Sequence, residues 1–323
     1  MHTPLVTIGI LSWNRLHYLR ATLESARLCL QYPNIEWIVS DNESEEAGLR
    51  DYVERCDWVQ HKLFQKQSHA EAMNQMVDMA NGKYIIIWPE DVQFTGQGDW
   101  LADLVEILDQ YRFIGSIGLD FQRKCTLVER FETPWFKNRS LALQEFKRFG
   151  LQFRRRQTVS SSRGVKIRTC GFTTPGICGS GIPSLTRTDV WRKLGPWKTT
   201  KTLEANLIDS SLGAEDDMVA RFFSRGEPLQ MGYMVKPVAA DILTDPTGCK
   251  AKVRGNRRYG IYLPPPEGTF YYRLQDMVKT PDPPKDFPIS FMQGVDPLGF
   301  MIPTDSTGER LKSSINKTVV SDI

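Results

Sequence analysis

Along the first 120 residues, short apolar runs alternate with stretches whose apolar positions recur every three to four residues, the pattern of strands interleaved with amphipathic helices. Leu5 to Leu11 is a β-branched run, and Leu16, Leu19, Leu23, Ala26 and Leu30 then mark one face of a helix. Ile35 to Ser40 predicts a second strand, closed by the polar turn Asp41-Asn42-Glu43-Ser44. A third strand is predicted within Trp58 to Phe64. Ala70, Met73, Met76, Val77 and Ala80 share a helical face, Asn81-Gly82 ends that helix, and Lys83 to Trp88 reads as a buried strand running into Pro89-Glu90-Asp91. A helix over Trp100 to Tyr111 and a strand over Phe113 to Leu119 complete the unit. Strands alternating with helices in this way specify a mostly parallel central sheet flanked by helices on both faces.

The pattern weakens after Phe121. Lys137 to Arg168 carries ten Lys/Arg against one acid, Glu145. Two readings stand side by side for this basic insertion at 137–168: a solvated face, or an electropositive wall for phosphate, an acidic acceptor or an anionic membrane surface. Periodicity returns with a strand over Ile182 to Arg187, a helix over Thr188 to Leu194, an acidic-headed helix over Glu215 to Arg225 and a strand over Leu229 to Lys236. Beyond Asp245 prolines accumulate, which predicts extended segments packing on the core. The expected organisation is one domain over 1–245, divided into a nucleotide-binding half (1–120) and an acceptor-binding half (121–245), followed by a proline-rich extension over 246–323.

A net charge of +3 in 323 residues gives no support to a general nucleic-acid-binding role. The longest strongly apolar stretch, Tyr84 to Trp88, is far too short to span a bilayer. The first residues lack the basic start and cleavage site of a secretory signal, so a cytoplasmic location is expected. Six scattered cysteines and four histidines without zinc spacing exclude a disulfide scaffold and a zinc centre, leaving carboxylates as the groups that could hold a metal.

In an open α/β sheet, ligands bind beyond the carboxyl ends of the strands. Three polar turns qualify: Ser12-Trp13-Asn14-Arg15, Asp41-Asn42-Glu43-Ser44 and Glu90-Asp91. Asn, Asp and Ser are ordinary turn and cap residues, and this suffices for Asn14 and Ser44 alone. Adjacent carboxylates directly after a strand of large apolar residues are different, because a buried strand end otherwise avoids them. They suit a hard divalent cation. Gly213-Ala214-Glu215-Asp216-Asp217 forms a second acidic group at the head of a helix, where the helix dipole explains the acids in part.

The ordered set Val6-Thr7-Ile8 to Asn14-Arg15, Ile38 to Ser44, Ala72-Met73-Asn74 with Ala80 to Ile85, Glu90-Asp91, and Glu215-Asp216-Asp217 with Arg221 and Gly226 resembles the GT-A fold nucleotide-sugar glycosyltransferases, and is most similar to the large inverting family two. The resemblance implies a Rossmann-like α/β domain that moves a sugar from a nucleotide-sugar donor to a hydroxyl of a glycan or glycoconjugate acceptor. It implies donor contacts at Thr7, Ile10, Asn14, Asp41, Asn42, Asn74 and Glu90, with Mn²⁺ or Mg²⁺ on Asp91. Asp216 becomes the expected general base, positioned by Glu215 and Asp217, with the choice among the three open. Gly179 and Ser180 are expected to line the acceptor site, with Trp197 as a stacking platform. The first acid of the family's metal motif is replaced here, and no late histidine is present; Asp241, Asp245 or water stands as the alternative ligand. Two rivals share these features: a carbohydrate-binding or assembly protein without turnover, and a nucleotidyltransferase, which lacks its expected glycine-rich phosphate loop here.

Overall fold

The structure, a computed structural model, describes residues 3–94, 96–119, 155–169, 183–199, 218, 221–222, 229–236 and 238–241. In chain order its elements are β1 (Val6–Ser12), α1 (Leu16–Cys29), β2 (Ile35–Asp41), α2 (Leu49–Arg55), β3 (His61–Phe64), α3 (His69–Met79), β4 (Tyr84–Pro89), β5 (Val92–Phe94), α4 (Trp100–Gln110), β6 (Ile114–Gly118), β7 (Thr158–Ser160), β8 (Lys166–Thr169), β9 (Ser184–Arg187), α5 (Thr188–Leu194), β10 (Gln230–Met234) and β11 (Ala239–Asp241). Strands β1 to β4 and β6 to β10 form one sheet in the order β3-β2-β1-β4-β9-β6-β10-β8-β7, and β11 pairs with β5 in a separate ribbon. β3, β2, β1 and β4 are mutually parallel; β9 and β8 run against the remaining strands. The expected α/β sheet flanked by helices is therefore present, parallel over β3-β2-β1-β4 and mixed beyond β4.

Strand alternation explains how the sheet is covered on both faces. Val6, Ile8, Ile10, Tyr84, Ile86 and Trp88 point into a core shared with α1, α2 and α4, while Leu11, Ile38, Ile85 and Ile87 point into a second core with α3 and α5. The second layer packs closely at Gly9, where a Cβ would lie 2.6 Å from Met76 Sδ. Larger residues in β1 at this position would push α3 away from the sheet. α3 itself starts on a capping box, with Ser68 accepting from the Glu71 N–H and the Glu71 carboxylate accepting from the Ser68 N–H.

The end of the basic span is part of the sheet. β7 and β8 form a hairpin on its far edge, and Arg163 in their connection bonds Asp103 at 3.1 Å and Asp99 at 2.8 Å on and beside α4. Arg163 thus ties the hairpin to α4 while its side chain stays about half exposed. Residues 137–154, most of the Glu215–Arg225 helix and the 246–323 extension lie outside the described residues.

Candidate active site

The chain steps outward from β1 to β2 to β3 and then returns to β4 on the other side of β1, so the order reverses between β1 and β4. At such a switch point the loops leaving the two strands diverge and open a crevice at their carboxyl ends. Register brings three of the polar turns together at this edge. Ser12 is paired with Asp41, and Leu11 with Pro89. The ladder continues past the strands: Asn42 N–H donates to the Ser12 carbonyl at 2.9 Å, and Glu90 N–H donates to the Leu11 carbonyl at 3.1 Å.

The first two loops are tied by side chains. Asp41 accepts from the Ser44 N–H at 2.7 Å and from its hydroxyl at 2.5 Å. Ser44 Oγ in turn accepts from the Asn14 N–H at 2.8 Å, and Asn14 Oδ1 accepts from the Glu45 N–H at 2.8 Å. Asn14 and Glu43 both hold positive φ, 47° and 50°, conformations that L residues adopt at some energetic cost and that this network maintains. Glu46 completes the junction, its Oε2 accepting from the Leu16 N–H at 2.7 Å at the start of α1. A carboxylate there satisfies an orphan helix donor and complements the helix dipole. Burial raises the pKa of Asp41, and the hydrogen bonds from the Ser44 N–H and hydroxyl oppose that rise only in part.

Glu90 and Asp91 are buried, at 5% and 4% exposure, in the turn between β4 and β5. The Thr22 hydroxyl on α1 lies 2.7 Å from the Glu90 carbonyl and 2.9 Å from the Val92 carbonyl, and Trp88 Nε1 donates to Val92 at 2.7 Å. Trp88 stacks on Phe94 with ring centroids 3.6 Å apart, closing the turn over the core. Arg15 reaches both acids: Nη2 bonds Glu90 Oε1, and Nη1 lies 3.2 Å from Asp91 Oδ2. His17, close by on α1, has its pKa pushed down to about 3 by burial and then by the Arg15 and Arg20 charges, so it is neutral at physiological pH.

Two hard carboxylates at this edge have the donor chemistry a divalent ion such as Mn²⁺ or Mg²⁺ requires. Among the described residues, no group of three or more His, Cys, Asp or Glu is placed to hold a metal ion. The β5–β11 ribbon sets Asp241 opposite Val92 in register, one position from Asp91.

Asn14, Asp41, Asn42, Glu90 and Asp91 are therefore gathered at one edge. Other candidates occupy different surroundings. Thr7 sits five residues before Ser12, roughly 16 Å back along the strand. Its hydroxyl donates to Glu36 at 2.5 Å and accepts from the Gly82 N–H at 2.9 Å. The Ile10 side chain is wholly buried in the core. Asn74 bonds the main chain of Trp197 with both ends of its carboxamide, and Trp197 is a core residue at 2% exposure, packed 5.2 Å from Trp191. Glu215, Asp216, Asp217, Gly179 and Ser180 lie outside the described residues. The contribution of Arg15 was hidden in the linear pattern, because its partners lie 75 and 76 positions away.

A parallel half-sheet with polar loops converging at a switch point is the architecture of nucleotide-dependent α/β enzymes. Residues 7–172, just over half of the 323-residue chain, match glycosyl transferase family 2, and the chain belongs to that family. A curated relative, "Uncharacterized protein y4gI" of Sinorhizobium fredii (strain NBRC 101917 / NGR234), is 30% identical over 121 residues, covering 36% of this chain and 13% of the relative. The chain thus spans about an eighth of that relative's length. Solved structures similar to it include a mannosyltransferase, PcManGT from Pyrobaculum calidifontis in complex with GDP-Man and Mn²⁺, at 15% identity and a TM-score of 0.42, covering 73% of this chain and 58% of that one. S. aureus TarS is similar at 11% identity and a TM-score of 0.45, covering 77% of this chain and 38% of TarS. No helix among the described residues is long and apolar enough to cross a membrane.

Proposed function

We propose that the protein is an inverting glycosyltransferase that moves a sugar from a nucleotide-sugar donor to a hydroxyl of a glycan or glycoconjugate. The observation that carries this reading is the buried Glu90–Asp91 pair at the β1/β4 switch point of a family-two chain. The donor's nucleotide lies against the Asn14–Ser44–Asp41 network, with Asp41 accepting from the base and Asn42 beside it. Its diphosphate extends toward Glu90 and Asp91. These two residues are the ones that would hold Mn²⁺ or Mg²⁺, which supplies charge neutralisation to the diphosphate leaving group.

The proton balance falls to a carboxylate on the opposite face of the sugar, with Asp216 assigned as base beside Glu215 and Asp217. It takes the proton of the acceptor hydroxyl as that oxygen bonds the anomeric carbon, while the bond to the diphosphate breaks and the nucleoside diphosphate leaves. One displacement inverts the anomeric configuration. Gly179 and Ser180 are assigned to the acceptor side.

The test is a thermal-shift and sugar-release screen of UDP-, GDP-, dTDP- and CMP-linked sugars with Mn²⁺, with Mg²⁺ and with chelator, using Asp91→Asn as control. One donor family stabilising and turning over on the wild type, with loss in Asp91→Asn, is the expected result. Absence of stabilisation and release with every donor overturns the assignment and favours a carbohydrate-binding protein without turnover.

A further inference from the structure

The Glu90–Asp91 pair already has a cation, and it is supplied by the chain. Arg15 bonds Glu90 through one terminal nitrogen and Asp91 through the other, and all three residues are buried. Its guanidinium lies over the Tyr18 ring, 5.1 Å from the centroid, a contact that holds the group level with the two acids. Its backbone is fixed as well: the Arg15 carbonyl accepts from Tyr18 and Leu19 at 3.0 Å each, and the preceding Asn14 is tied to Ser44.

Two adjacent buried carboxylates without a counter-ion are costly, and one guanidinium offsets one of the two charges. A divalent ion offsets both, but to use the Asp91 Oδ2 lone pairs that face Arg15 it must displace Nη1. Resting on the reading that this pair is the cation-binding end of the donor site, we propose that Arg15 and the divalent metal hold Glu90–Asp91 alternately: Arg15 in the donor-free protein, the metal in the donor-loaded one. Arg15 then lowers metal affinity until the donor arrives. Released from Asp91, its planar fork is chemically suited to the oxygens of a diphosphate. Arg15 is thus a positioning residue whose deletion strengthens metal binding in the donor-free state.

The experiment is a Mn²⁺ titration of the full chain, following free Mn²⁺ by electron paramagnetic resonance at constant pH and ionic strength. It compares wild type, Arg15→Gln, Arg15→Lys and Asp91→Asn, each without nucleotide and with UDP or GDP. Arg15→Gln is expected to bind Mn²⁺ at least tenfold more tightly than wild type without nucleotide. Arg15→Lys keeps the charge but cannot bridge both acids, so tightening of at least threefold there reports loss of the bridge itself. If circular dichroism shows Arg15→Gln unfolded, Arg15→Lys decides the question. Asp91-dependent binding that is unchanged or weaker in the folded Arg15 variants overturns the exchange and leaves the metal reading standing. Binding absent from all variants with and without nucleotide, or insensitive to Asp91→Asn, overturns the metal reading and the exchange together.

Discussion

The carboxamide of Asn74 grips the backbone of Trp197 from both sides, donating to its carbonyl at 2.9 Å and accepting from its N–H at 2.7 Å. The contact spans 123 positions and fastens the segment after α5 to α3. Asn74→Ala removes both of these hydrogen bonds at the edge of a core that contains Trp191 and Phe222. The expected cost is about 1–3 kcal/mol, read from the urea midpoint. Donor affinity of the folded variant should stay within twofold of wild type. A tenfold loss of affinity in a fully folded Asn74→Ala protein would return Asn74 to the donor site.

Asp41 should behave in the opposite sense. Its pKa is raised, chiefly by burial, so the folded state penalises its ionised form. A carboxyl group with a raised folded pKa costs stability as pH rises past its unfolded value of 3.8. Asp41→Asn removes that penalty and keeps an oxygen to accept from Ser44. The melting temperature at pH 7 is therefore expected to hold or rise, while donor affinity falls at least tenfold. A melting temperature several degrees lower at pH 7 would show that the Ser44 bonds outweigh the desolvation cost.

Glu36 supplies the contrasting pH dependence. Burial acts to raise its pKa, but hydrogen bonds from Thr7, the Asn81 side chain, the Asn81 backbone and His61 outweigh it and bring the net value below the ordinary 4.5. A depressed carboxylate stabilises the fold above the unfolded pKa, and that contribution is lost as pH falls through the folded value. Glu36→Gln should therefore be less stable than wild type at pH 7, with the gap between the two closing as pH falls below about 4.5. Comparing the pair cancels the acids common to both. A gap that is constant from pH 7 to pH 3 would mean that the charge of Glu36 contributes nothing.

These residues also mark how far the sequence could be read. Helix and strand periods located β1, α1, β2, α3, β4, α4 and α5 to within a few positions, because each buries apolar residues at regular spacing on a sheet covered on both faces. α2, the three-residue strands β5, β7 and β11, and four-residue β8 were missed, since so few residues carry no resolvable period. At the candidate site, polarity after a strand picks out Asn14, Asp41, Asn42, Glu90 and Asp91, which the sheet register gathers at one edge. It could not separate Thr7, whose hydroxyl is bound to Glu36 at the other end of β1, nor show that Asn74 serves Trp197. Arg15 and Arg163 teach the same lesson from the basic side: their partners, Glu90 and Asp91 in one case and Asp99 and Asp103 in the other, are fixed by packing across long sequence separations.

Thr22 offers the sharpest separation of turn geometry from charge. Its hydroxyl sits between the Glu90 and Val92 carbonyls, while Val92 also accepts from Trp88 Nε1. Thr22→Val keeps the shape of the side chain and removes the hydroxyl, so the Glu90 and Val92 carbonyls lose this donor and the turn is left tied to the α1 end through Arg15. The expected stability cost is about 1–3 kcal/mol, measured by chemical denaturation. Because Glu90 and Asp91 keep their charges, any accompanying fall in sugar transfer reports their placement alone; kcat/KM is expected to drop at least tenfold. Thr22→Ser restores the hydroxyl and loses only a methyl group, so it should recover most of the activity lost in Thr22→Val. If the serine variant is as inactive as the valine one, the hydroxyl alone does not position the acidic turn, and the methyl contact with the core is needed beside the hydrogen bond.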